Sequence, residues 1–242
     1  MNMIQPATWD TEHFGLKVGE LLWTGDFDNQ QLEAWKTRSK KEGYDVLYLR
    51  GVELPEDALD EDVVLADQKT VYAMTIDHHR PSNRDNDVVS LLHRDLSPEL
   101  LELAYESGKF SRYRTDKRFP NHVFPTLYRI WIMDSLRGLI ATDVLAYMDK
   151  DAPIGIITYK QEGWHVTIGL VAVHPTWAGR GIGTRLMQSF LSLFEPGTQI
   201  DVATQACNRG ACHFYEKNGF AIKSVTNIYH IWNTPRSSIS KQ

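Results

Sequence analysis

The chain has 242 residues, with 26 Lys and Arg against 31 Asp and Glu and a formal net charge of -5. That length fits one large or two small domains, and 42% hydrophobic with 24% charged residues is the composition of a globular protein rather than a disordered or fibrous one. The acidic balance speaks against a broad nucleic-acid-binding surface, and Cys207 and Cys212 suggest neither a disulfide framework nor a metal site.

Met1 to Asp10 has no basic segment and no apolar core, so it does not read as a signal peptide. No apolar run approaches the roughly 20 residues that a membrane span needs. A reducing cytoplasm is the expected setting, with no membrane insertion. Phe14 to Trp23 reads as a strand. Asp26 or Asp28 starts a helix that Gly43 stops. Tyr44 to Leu49 is a continuous apolar strand, Leu54 to Asp62 is acidic and turn-like, and Thr70 to Ile76 alternates as a strand. The polar stretch from Asp77 to Asp87 reads as a linker, and its paired His78 and His79 as a solvated loop without a third metal ligand. The linker divides the chain into an N-terminal α/β domain, 1–80, and a C-terminal domain, 88–242.

After Val88 to Leu92, a short strand, Ser97-Pro98-Glu99 is a helix start. That helix runs to Gly108. Lys109 to Asp116 is basic and aromatic, and Pro125 opens a second helix that runs to Gly138. Strands follow at Asp143 to Met148, Ile154 to Lys160 and Trp164 to Val173, joined by hairpin turns. The last of them leads into Ala178-Gly179-Arg180-Gly181-Ile182-Gly183-Thr184, and then into a helix with Ile182, Leu186, Met187, Phe190 and Leu191 on one face. A strand, a glycine-rich turn and a helix present bare amides where the helix dipole favours an anion. The glycines leave the backbone open to a phosphate.

Three pyrophosphate ligands compete for such a turn. A nucleoside-triphosphate loop needs Gly-Lys-Ser/Thr, and there is no Lys before Thr184. A dinucleotide turn needs a third glycine where Thr184 stands, and Asp201 sits inside the next strand rather than at its end. The third ligand is coenzyme A: the stretch resembles motif A of the GNAT superfamily of acyl-CoA-dependent N-acyltransferases, Q/R-x-x-G-x-G/A, with Ala178 at the first position. Asn208-Arg209-Gly210-Ala211 through Tyr215 to Gly219-Phe220 resembles motif B of the same family, N-x-x-A-x-x-x-Y-x-x-x-G-F, with Asn208 as helix cap and Gly219 ending the helix. The resemblance implies an α/β (α+β) GNAT fold with a mixed, splayed central sheet flanked by helices, preceded by the smaller α/β N-terminal domain.

The resemblance also implies site residues. The main chain of Val171, Ala172 and Val173 would meet the pantetheine amides of an acyl-CoA. The turn from Ala178 through Gly179, Arg180, Gly181, Ile182 and Gly183 to Thr184 would hold its diphosphate, and Asn208 would bond the pantetheine arm. Tyr215 is the candidate acid for the leaving thiolate, since a phenol near its ordinary pKa of about 10 stays protonated beside a thiol of about 8.5. No metal is implied. The base is not legible; Glu12, His13, Asp143 and His165 are candidates, as is water.

Trp9 to Gly15, Phe110 to Arg114 and Val202 to Gln205 with Asn208 together look like the bacterial TDP-fucosamine acetyltransferases. That resemblance implies a dTDP-amino sugar as acceptor, contacted by Phe14, Phe110, Ser111, Arg112 and Arg114, in cell-surface polysaccharide synthesis by a homodimer. Arg112 and Arg114 suit a diphosphate, and Phe110 or Tyr113 a stacked base. The alternatives are a GNAT enzyme acting on a protein, peptide or polyamine amine, and a non-catalytic module that binds CoA.

Overall fold

The computed structural model describes residues 3–77 and 85–233. The polar linker, including His78 and His79, lies largely outside them. In the N-terminal part, strand β1 (Gln5–Pro6) leads into helix α1 (Thr8–Phe14), which Gly15 ends in the left-handed conformation at φ 68°. Phe14 therefore closes a helix, whereas the sequence reading opened a strand there. Strand β2 (Val18–Leu22), helix α2 (Asn29–Lys41) and strand β3 (Val46–Arg50) follow. The Asp28 carboxylate caps α2 by accepting from the Gln30 amide at 2.9 Å. Strand β4 (Val63–Thr75) begins well before the expected Thr70, because the polar run Asp67-Gln68-Lys69 interrupts the apolar pattern without interrupting the strand.

The C-terminal part comprises strand β5 (Val88–Ser90), helices α3 (Pro98–Ser107), α4 (Arg112–Thr115) and α5 (Val123–Leu136), and strands β6 (Asp143–Asp149), β7 (Ala152–Glu162) and β8 (His165–Val173). Helix α6 (Ile182–Leu191), strand β9 (Gln199–Gln205), helix α7 (Arg209–Lys217) and strand β10 (Ala221–Trp232) complete it. Within the basic 109–116 stretch, Arg112–Thr115 form a four-residue helix capped by Ser111.

Both parts share one ten-stranded sheet, ordered β1-β2-β3-β10-β4-β9-β8-β7-β6-β5. Its organising feature is an exchange. β2–α2–β3 and β8–α6–β9 are two strand–helix–strand units, each with its strands parallel. β4, which follows β3 in the chain, crosses to pair antiparallel with β9; β10, which follows β9, crosses to pair antiparallel with β3. β4 and β10 then pair with each other across ten registered positions. β10 is therefore the long terminal strand that stitches the two parts together.

On one face, α6 and α7 cover a core that includes Ile157, Ile168, Val202, Leu186, Met187 and Phe190. On the other, α3 and α5 cover Val144, Ala146, Ile156, Leu170 and Ala172. An aromatic cluster of Phe14, Tyr48, Phe119 and Trp232 lies where α1 and α5 meet β3 and β10.

β8 and β9 pair only from His165–Gln199 to Ile168–Val202; beyond that, both strands continue unpaired with each other. The release coincides with a register shift between Ile157 and Tyr159 on β7, opposite Gly169. There the Leu170 amide donates to the Thr158 hydroxyl at 2.9 Å. A Cβ at Gly169 would lie 2.6 Å from that Thr158 Oγ1 and 3.5 Å from the Trp131 indole nitrogen. We expect Gly169→Ala to overpack the bulge and to lower stability by about 1–3 kcal/mol in urea denaturation; an unchanged midpoint would mean that the bulge tolerates a side chain.

Candidate functional site

The gap between the freed ends of β8 and β9 opens into a cleft of about 660 Å³. Amide direction along β8 follows from its bonds. The Leu170 amide reaches across to β7, and the His174 amide donates to Ile154 O at 2.8 Å, also toward β7. Amides alternate along a strand, so those of Val171 and Val173 point away from β7 and into the gap. Both residues line the cleft, with Ala172 between them.

At the mouth of the cleft, Ala178, Gly179, Gly181, Ile182, Gly183 and Thr184 line the turn into α6. Gly179 and Gly181 have φ of 77° and 78°, and a Cβ on either would meet nothing within 4 Å. α6 has no side-chain cap. The amides of its first turn therefore face the opening unpaired, at the positive end of the helix dipole. These residues fit a diphosphate. Arg180 does not line the cleft; its guanidinium sits 4.7 Å over the Trp177 ring.

Asn208 lines the same cleft and caps α7: its Oδ1 accepts the Ala211 amide at 3.2 Å, and its Nδ2 donates to Thr204 Oγ1 at 3.4 Å. Tyr215 also borders the cleft and is otherwise buried against Tyr72, Phe214 and Phe220. Burial, and then the nearby Cys212, raise its pKa, so it stays protonated at neutral pH. Its hydroxyl makes no hydrogen bond to another described residue, which leaves that proton available. None of the four expected bases lies here. Glu12 and His13 belong to α1, with the His13 ring bonded to Trp9 O at 2.8 Å. Asp143 accepts from Ser90, and His165, at the closed end of β8, lies 3.7 Å from Asp201.

The expected acceptor residues divide. Phe14 is fully buried among Trp9, Tyr113 and Phe119 and packs as part of the core. Ser111 is buried as the cap of α4. Arg112 is not a free loop cation: its guanidinium lies 4.0 Å over Tyr48 and 4.7 Å over Tyr113 and donates to the Tyr113 hydroxyl at 2.6 Å. Phe110 is half-buried under the Lys109 ammonium. Arg114 is exposed, 5.0 Å over the Phe124 ring, in a second hollow of about 450 Å³ with Tyr105, Lys117 and Phe119.

Around Arg112, several buried polar atoms have no hydrogen-bond partner: its own Nη1, Tyr48 Oη, Asp67 Oδ1, Arg50 Nε and His230 Nε2. Such orphans are expensive in a folded protein unless something else meets them. Burial raises the Asp67 pKa to about 6, against the pull of Arg112 and Lys69. Burial lowers the His230 pKa to about 4, although Asp116 at 2.6 Å holds its Nδ1 proton. Asp67 lies in the half of β4 that the sequence reading missed. A charged residue between the expected turn, 54–62, and the expected strand, 70–76, gave no signal.

Residues 102–220, just under half of the chain, match the family model described as Acetyltransferase (GNAT) family. A solved structure from Staphylococcus epidermidis ATCC 12228, described as a functionally unknown conserved protein, shares 13% identity at TM-score 0.62 over 90% of this chain and 85% of that one. A GCN5-related N-acetyltransferase from Sphaerobacter thermophilus shares 15% identity at TM-score 0.52 over 90% of this chain and 74% of that one. A tandem GNAT protein from the clavulanic acid biosynthesis pathway shares 11% identity at TM-score 0.50 over 91% of this chain and 77% of that one. These likenesses show the fold. A curated relative, UPF0157 protein YqkA of Bacillus subtilis (strain 168), is 32% identical over 74 residues, which are 31% of this chain and 22% of that protein. Among the described residues, no group of three or more His, Cys, Asp or Glu is placed to hold a metal ion, and no helix is long and apolar enough to cross a membrane.

The two shifted groups act on stability with opposite sign. His230 is neutral when folded, so its contribution is full above pH 6.5 and is lost as pH falls from 6.5 toward 4. Asp67 binds its proton more tightly when folded, so its penalty, full above pH 6, is relieved as pH falls from 6 toward 4. Each shift of about two units is worth roughly 1–3 kcal/mol. We expect Asp67→Asn to raise the urea midpoint at pH 7 and to steepen its fall between pH 6.5 and 4. A lower midpoint at pH 7 would refute the buried-charge assignment.

Proposed function

We infer that this chain, whose residues 102–220 form a GNAT-family acetyltransferase domain, is an acyl-CoA-dependent N-acyltransferase. The observation that carries the reading is the coincidence of two features in one cleft: the released ends of β8 and β9, and the uncapped, glycine-lined start of α6. The turn amides between Gly179 and Thr184 hold the diphosphate. The main-chain groups of Val171 and Val173, freed from strand pairing, bond the pantetheine arm and so run the thioester toward the closed end of the gap. An amide of the freed strand near Val171 polarises the thioester carbonyl. The acceptor amine attacks the carbonyl carbon, and the Tyr215 hydroxyl gives its proton to the departing sulfur. Holding amine and thioester together supplies much of the rate, because aminolysis of a thioester is downhill.

The finer reading is a dTDP-linked amino-dideoxy sugar as acceptor, with either a 3-amino or a 4-amino group. It is supported by the sequence resemblance across Trp9–Gly15, Phe110–Arg114 and Val202–Gln205, and by the hollow beside α4 in which Arg114 and Lys117 lie among aromatic rings. Cations beside aromatic faces suit a nucleoside diphosphate. Arg114, rather than the wedged Arg112, is then the diphosphate contact. The second reading, a polyamine or peptide amine, is favoured by Glu106 on the cleft wall.

Calorimetry with acetyl-CoA and a thiol-release assay test both levels. We expect Tyr215→Phe to lower turnover at least about tenfold while acetyl-CoA affinity stays within about twofold; wild-type turnover would remove Tyr215 from its role. We expect Arg114→Ala to weaken dTDP-amino-sugar binding about tenfold, consistent with loss of a charge-assisted contact. Unchanged binding would discard the nucleotide-sugar reading and leave the polyamine or peptide one.

A further inference from the structure

We propose that Asp67, Tyr48 and Arg112 form the acceptor-amine pocket of this acyl transfer: the Asp67 carboxylate receives a primary ammonium and takes its proton, while Tyr48 Oη and Arg112 Nη1 hold an oxygen on the same small molecule. The proposal rests on the acyl-CoA reading above and adds the half of the reaction that the cleft does not supply.

Three observations carry it. The first is the concentration of orphans. Tyr48 is 2% exposed, yet its hydroxyl completes no hydrogen bond, although Asp10 and Tyr113 stand near it. Arg112 Nη1 and Asp67 Oδ1 are equally unmet. The Arg112 guanidinium stacks 4.0 Å above Tyr48, and its charge acts on Asp67. One hydroxyl, one cationic donor and one anionic acceptor are the complement of an amine that also carries oxygen.

The second is position. Lys69 pairs with Gln205, and the Ala206 amide donates to Gln68 O at 2.9 Å. Asp67 thus lies just past the end of β9, the strand that borders the gap. From the helical side, Glu106, Ser107 and Lys109 line the cleft, and Ser111 then caps the helix that carries Arg112. Tyr128 of α5, which interacts with Asp67, stacks 5.8 Å from Trp131, and the Trp131 indole stands over Gly169 where the gap closes. Tyr128 and Trp131 thus form the wall of packed rings between Asp67 and the closed end of the gap.

The third is charge. Arg112 on α4, Tyr128 on α5 and Lys69 on its own strand act on Asp67; Asp67 pairs with Ile228 of β10, which pairs in turn with Arg50 of β3, and Tyr48, Tyr113 and His230 stand around Arg112. The guanidinium of Arg50 is paired with Glu20, and the Tyr113 hydroxyl, which Arg112 bonds, donates to Asp10 at 3.2 Å. His230 is neutral. The carboxylate is therefore the acceptor left for an incoming cation.

The step balances. The ammonium loses one proton to the Asp67 carboxylate. The freed nitrogen lone pair forms the C–N bond, and the C–S bond breaks with its electron pair on sulfur. Sulfur takes the Tyr215 proton, and the surplus proton on the new amide nitrogen restores Tyr215. Asp67 then releases its proton to solvent.

The test uses the full chain with acetyl-CoA and three amine probes: a dTDP-amino sugar, spermidine and a lysine peptide. Acetyl-CoA affinity is read by calorimetry, thiol release from pH 5 to 8.5, and the melting temperature of each variant. For the preferred amine, wild-type kcat/KM should rise with pH through about 6 and then level. Asp67→Asn should bind acetyl-CoA as wild type does, melt no lower, lose about 100-fold in kcat/KM, the scale of a removed general base, and lose the limb near pH 6. Tyr48→Phe should raise KM for the amine severalfold with a smaller change in kcat. Asp67→Asn with kcat/KM within threefold and the limb retained would overturn the pocket, as would a wild type that binds acetyl-CoA but acylates none of the probes. A wild type that gives no heat with acetyl-CoA would instead overturn the acyltransferase reading, and the pocket with it.

Discussion

The parting of β8 from β9 is the constraint on which the rest of this structure depends. A parallel pair normally meets every backbone group on the facing edges. Here pairing stops at Ile168–Val202, so Val171 and Val173 turn unmet amides into a cleft. An open seam in the middle of a sheet persists only when both flanks are held, and they are. β7 anchors β8 by antiparallel pairing from Glu162 to Gly155, and β4 anchors β9 along its whole length. α6 and α7 then cover one face with the core around Leu186, Met187 and Phe190. The seam costs hydrogen bonds and leaves backbone groups open to a ligand with amides of its own.

The exchange of β4 and β10 gives the N-terminal part a direct hold on that seam. The strand that clamps β9 comes from the first third of the chain, and β10 returns to β3 to close the exchange. The pairing brings residues remote in sequence onto one face: Tyr48, Asp67, Arg112 and His230 converge there although no two of them are close neighbours in the chain. Their unmet polar atoms mark a place where stability has been forgone, as is common at functional sites.

The electrostatics of the two regions differ in kind. The start of α6 is a positive end without a side-chain charge, suited to an anion that arrives with its own negative charge. The α4 cluster holds paired formal charges in low dielectric, where a single unmet carboxylate is costly and therefore reactive toward a proton.

Much of the C-terminal half was legible in the sequence. Glycines at 179 and 181 between an apolar run and a 3.6-period face specify a strand, a turn and a helix, because glycine adopts φ of 77° and 78° there without strain. Asn208 and Gly219 fix the ends of the next helix by the same local logic. What the sequence could not reveal is non-local. It read β4 as starting at Thr70 and gave no partner for β10, since periodicity reports burial along a segment and not the partner across it. It gave Phe14 to a substrate, and tertiary packing gave it to the core; it read Arg112 without the two tyrosines that flank it. It passed over Asp67, which becomes distinctive only when β9, β10 and α4 surround it and withdraw its water. Local backbone chemistry wrote the glycine-lined turn and its helix into the sequence, whereas strand exchange, which joins residues far apart in the chain, decided what stands beside them.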